Sequence, residues 1–110
     1  MHRTDPKIFE EIRRERPPCE REALLHDHEC GGSSTMEHAF IFRNRQVDEK
    51  WAIIRLCQRA HSVGPYATCG ILNKEINQWI GLRHASEADL KKYPRAGWEQ
   101  KKKYLSLKYG

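Results

Sequence analysis

Residue types that bind metals and move protons crowd the middle of this chain. Cys19 and Cys30 flank one loop, and Cys57 and His61 fall at the start of a predicted helix. Thiols from a loop joined to one or two ligands from a helical turn are a common zinc arrangement. Such an ion would contribute roughly 10 kcal/mol or more of binding free energy coupled to folding. Within that frame stands Glu37-His38, a carboxylate beside an imidazole. Phosphodiester cleavage needs a nucleophile and a way to neutralise charge on the phosphate and the leaving oxygen. One divalent ion held by Glu37 and His61 could polarise the phosphate and stabilise the leaving oxygen. An imidazole such as that of His38 can take the proton of an attacking water near neutral pH. Neighbouring strand residues point to opposite faces, so Glu37 and His38 share a site only where their strand ends or kinks. Most of the six histidines, His2, His26, His28, His38, His61 and His84, must be ordinary surface side chains, and position singles out His38 and His61, which the cysteines frame.

The elements that must position these groups are short. Asp5-Pro6 reads as a cap and a first helical residue, and Ile8, Phe9 and Ile12 share one face, predicting a helix over 6–16 that Pro17-Pro18 ends. From Cys19 to Ser34 the chain reads as irregular, polar and ligand-rich, with a turn at Gly31-Gly32-Ser33-Ser34. Met36 to Phe42 and Trp51 to Ile54 read as strands, linked by the polar Arg43-Asn44-Arg45-Gln46. Leu56 to Ser62 then opens a short helix that stops at Gly64-Pro65. Beyond Tyr66, Ile71, Leu72, Ile76, Trp79 and Ile80 recur at helical spacing, with Gly81 near the end. Ser86-Glu87-Ala88-Asp89 is a capping-box-like start of a helix closed by Pro94, and Trp98 to Tyr109 forms the last helix. Trp51, Trp79, Trp98 and Phe40 have the neighbours of core residues rather than of base-stacking groups.

At 110 residues the chain has the length of one domain. Its parts are an N-terminal helix over 1–18, a metal-rich centre over 19–63 and a helical extension over 64–110. With 38% hydrophobic and 32% charged residues it is polar, and it holds no run of about 18 apolar residues such as a membrane span needs. The first residues lack the apolar stretch of a signal peptide. The expectation is an intracellular, cytoplasmic protein, where cysteines favour metal over disulfides. The net charge of +5 suits a polyanionic partner.

The run Cys30-Gly31-Gly32, Thr35-Met36-Glu37-His38-Ala39, Trp51-Ala52-Ile53-Ile54-Arg55-Leu56-Cys57 and Ala60-His61 resembles the HNH endonucleases, particularly the small phage and prophage kind. The resemblance covers about residues 19–63, and the stretch from Gly70 onward resembles the helical tail that can follow such a core. It implies an α+β fold with a ββα-metal (His-Me finger) core between N- and C-terminal helices. It further implies a structural zinc ion, a catalytic magnesium or manganese ion, DNA as substrate, and a phage or prophage protein in a bacterial host. By it, His38 matches the general base, Glu37 and His61 the catalytic-metal ligands, and Cys19, Cys30 and Cys57 the structural zinc cysteines. Two positions depart from the pattern. Trp51-Ala52 stands where the middle Asn belongs, with Asn44 and Asp48 nearby. Ala60 stands where a fourth zinc ligand belongs, leaving His61, His28, Cys69 or water to complete the set.

Arg43 and Arg45, between the two predicted strands, are the first candidates for phosphate contact, followed by Arg55 and Arg59. Arg13-Arg14, Lys91-Lys92 and Lys101-Lys102-Lys103 are further basic clusters. The competing reading is a non-catalytic, zinc-stabilised module that binds DNA or a protein with a degraded nuclease site. It accounts for the cysteines and the charge but leaves Glu37-His38 unexplained.

Overall fold

The structure, a computed structural model, describes residues 5–26, 29–58 and 74–110. The first helix, α1 (Pro6–Glu15), begins as its sequence dictates: the Asp5 side chain accepts a hydrogen bond from the Lys7 N–H at 2.9 Å, and Pro6 occupies the first turn. A short helix, α2 (Glu20–Leu25), follows where irregular chain was expected, and ends at His26 in a left-handed conformation.

Strand β1 (Ser34–His38) pairs antiparallel with β4 (Ile53–Cys57), in a register that sets Ser34 opposite Cys57 and His38 opposite Ile53. Two corrections follow from this pairing. β1 stops at His38, because Phe40 leaves the strand to enter the core, where it is fully buried. Cys57 is the last residue of β4 rather than part of a helix, and the Gln58 N–H still bonds to the Ser33 carbonyl at 3.1 Å. The rest of the helix expected through Ser62 lies outside the described residues. Between the long strands, β2 (Ile41–Phe42) and β3 (Arg45–Gln46) form a small hairpin, and a 3-10 turn (Lys50–Ala52) leads into β4.

Three helices close the chain: α3 (Lys74–His84), α4 (Glu87–Lys91) and α5 (Trp98–Tyr109). The capping box expected at Ser86 is present, with Ser86 and Asp89 each accepting the other's backbone N–H. Among the described residues, no helix is long and apolar enough to cross a membrane.

Strand β4 is covered on both faces. Ile54 and Leu56 join Ile76, Trp79, Ile80 and Leu82 of α3 in the main core. On the other face, Arg55 donates through Nη1 to the carbonyls of Arg13 (3.2 Å) and Arg16 (3.1 Å), tying β4 to the end of α1. Phe40, Trp51 and Trp98 meet with ring centroids 5.0–5.6 Å apart, so these aromatics are core, as their spacing suggests.

Gly81 lies in the last turn of α3, as expected, and the aromatic cluster explains why a glycine is needed. A Cβ there would come within 2.6 Å of the Phe40 ring and 3.2 Å of the Trp51 carbonyl. Helix propensity favours alanine by about 1 kcal/mol, but overpacking against a buried ring costs about 1–3 kcal/mol. Gly81→Ala is therefore expected to lower the melting temperature by several degrees. A variant that melts higher than the parent would show that Phe40 can yield.

Candidate functional site

Two clusters lie at opposite ends of the β1–β4 pair. At one end are Cys19, in the extended residue before α2, Cys30, on the segment leading to β1, and Cys57, at the end of β4. Their three sulfurs lie within 4.8 Å of one another, as expected of the set predicted from sequence. Zn–S bonds of about 2.3 Å at tetrahedral angles place sulfurs about 3.8 Å apart, so this group needs only a small contraction to hold zinc. Cys19 and Cys57 are buried and Cys30 is exposed. Although Cys30 as a residue is open to solvent, partial desolvation of its sulfur, together with the neighbouring Cys19 and Cys57 thiols, pushes the Cys30 thiol up to about 12. A crowd of thiols resists becoming thiolates without a cation, and a soft divalent ion removes that penalty. Among the described residues the group has these three members. Ala60, His61, His28 and Cys69, where a fourth ligand was sought, lie outside them.

The end of β1 holds the second cluster. His38 Nε2 is 3.0 Å from Asp48 Oδ1, and its ring meets the edge of Phe9 from α1 at 6.4 Å. Both members are partly exposed, at 16% and 29%. Since a carboxylate only accepts, Nε2 carries the proton of this bond, which fixes the tautomer. Of the two polar residues noted near the HNH Asn position, Asp48 meets His38, whereas Asn44 sits in the hairpin turn.

Glu37 pairs with Ile54 and His38 with Ile53, so the pleat sends their side chains to opposite faces. The strand ends at His38, and both residues contribute to the wall of one open cavity of about 370 Å³, with Gln46, Lys74, Asn77 and Gln78. Asn77 is 3% exposed, and its Oδ1 is a buried acceptor with no hydrogen-bond partner among the described residues. Glu37 and Asn77, which both line this cavity, carry oxygen donors of the hard kind that would suit magnesium or manganese. His61, the expected partner of Glu37, lies outside the described residues.

The arginines divide. Arg43 and Arg45 are exposed on the β2–β3 hairpin. Arg55, a predicted phosphate contact, instead holds α1 and Ser34, because its guanidinium lies over carbonyls left open at the end of α1. Arg59 lies outside the described residues. Sequence reading missed Glu20, a 5% exposed carboxylate beside Cys19. It accepts the Arg55 backbone N–H at 2.6 Å, pairs with His84 Nε2 at 2.6 Å and lies 3.6 Å from Arg16. A Glu directly after a ligand cysteine carries no sequence signal of such a role.

In comparisons with known proteins, no family model matches the chain, and neither does any curated protein or solved structure. The likeness to HNH endonucleases rests on the residues quoted above.

Purified protein is expected to carry about one zinc ion per chain. Cys57→Ser should lose that zinc and melt well below the parent, and a chelator should destabilise the parent but not the variant. A parent that contains no zinc and is indifferent to chelation would contradict the cluster's assignment.

Proposed function

We propose that this protein is a metal-dependent DNA endonuclease with a ββα-metal core, in which a zinc-bound thiol cluster braces one end of the β1–β4 pair and His38 works at the other. The observation that carries the reading is the His38–Asp48 pair. A histidine whose Nε2–H is held by a carboxylate presents the Nδ1 lone pair as its basic atom, so proton removal from an attacking water runs through Nδ1. Asp48 takes the orienting role that the HNH pattern gives to Asn and stabilises the imidazolium formed when the proton arrives. Glu37, with His61, would hold the divalent ion, and Asn77 lines the same cavity as Glu37. That ion would supply Lewis-acid stabilisation of the phosphate and the leaving oxygen.

The alternative, a non-catalytic zinc module that binds DNA or a protein, is supported by the thiol cluster. It assigns no task to the His38–Asp48 pair. The two readings separate in a cleavage assay. With magnesium or manganese, His38→Ala should lower the rate roughly 100-fold or more while DNA binding persists. Asp48→Asn, which disturbs the tautomer, should lower it by roughly tenfold or more. Cleavage that survives His38→Ala would remove the base from the reading, and a parent with no cleavage to lose would favour the binding module.

A further inference from the structure

The β2–β3 hairpin bears a second feature that the catalytic reading does not use. Its loop has two residues, Arg43 and Asn44, both in the left-handed region at φ 53° and 64°. Two-residue hairpin loops of this kind favour Asn-Gly, so an arginine in the first position is strained. Strain of that sort tends to persist where the side chain has a task. The Arg43 guanidinium lies over the Phe42 ring at 5.3 Å and lines a groove of about 400 Å³ with Phe42, Lys92, Pro94 and Arg95. Arg43, Lys92 and Arg95 are all exposed. Among the described residues, no carboxylate pairs with Arg43 or Arg95, and the groove lining contains none. Lys92 reaches Glu49 at 3.3 Å, an exposed pair that contributes little.

From this geometry we infer that the Arg43–Lys92–Arg95 groove is a phosphate-backbone subsite for duplex DNA, seated beside the catalytic end of β1. The inference names how the substrate of the proposed nuclease is held, and rests on that reading for the choice of DNA. Arg43 follows His38 by five residues, a span of at most about 17 Å when extended. Each DNA strand carries a phosphate every ~3.4 Å along the axis, so the groove would hold backbone a few steps from the bond at His38. Arginine forks over an aromatic ring suit phosphate oxygens and read no sequence. Lys92 and Arg95 come from the α4–α5 connection, so the subsite joins the hairpin to the C-terminal helices.

The test measures binding of a short fluorescent DNA duplex against sodium chloride concentration, with no added divalent ion. The parent is compared with Arg43→Asn/Arg95→Gln and with a control pair, Lys7→Gln/Lys103→Gln, which removes the same charge from exposed sites outside the groove. The groove variant should reduce the slope of log affinity against log salt by about 1.8, at about 0.9 per lost phosphate contact, with the control changing far less. Its melting temperature should hold or rise, since Asn suits the left-handed turn. An unchanged slope, an equal loss in the control pair, or a parent that does not bind the duplex would overturn the subsite. Inorganic phosphate that displaces the duplex far better than chloride at equal ionic strength would also overturn it, in favour of a free-phosphate site. Because binding is read without the catalytic ion, failure of cleavage and failure of the subsite are separate results.

Discussion

A single buried carboxylate holds the parts of this molecule in register. Glu20 starts α2, receives the backbone N–H of Arg55 in β4, pairs with His84 at the end of α3 and balances the buried guanidinium of Arg16. Arg16 in turn donates to the carbonyls of Ile53 and, at 3.0 Å, of Lys50, where the 3-10 turn becomes β4. Four elements thus converge on one ionic centre, and removing either charge would leave the other buried without compensation. Cys19 is the residue before Glu20, so the same centre fixes the thiol cluster against β4.

The β1–β4 ladder carries that order from one end of the molecule to the other. Cys57 sits opposite Ser34 and His38 opposite Ile53, so one thiol of the candidate metal group and the candidate base terminate the same two strands. A strand such as β4, buried along both faces, cannot slip in register without exposing its core residues. In the proposed reading, an ion held by the thiols at one end would restrain His38 at the other without touching it. The β2–β3 hairpin projects beyond His38 and carries residues of both the Glu37 cavity and the basic groove.

What could be read from sequence was local. Asp5-Pro6 and Ser86-Asp89 are helix starts whose chemistry is complete within a few residues, and both form as expected. The cysteine trio was legible because thiols in this setting have few other uses, and the aromatic core because its neighbours have packed-face spacing. The errors lie where partners are distant. Cys57 was assigned to a helix, but pairing with Ser34 keeps it in a strand. α2 is too short to show periodicity, and Glu20 finds its partners 35 and 64 residues away. Arg55 also reaches carbonyls of Arg13 and Arg16 at the end of α1, contacts that no local pattern announces. Asp48 was visible as a polar residue near the right place, and only the fold brings it to His38.

The most direct test of the account is the nicking of supercoiled plasmid by protein whose zinc content has been verified, with and without added magnesium or manganese. The account predicts nicking that requires the added ion while the bound zinc stays in place. Folded, zinc-loaded protein that leaves the plasmid intact with either ion would contradict it.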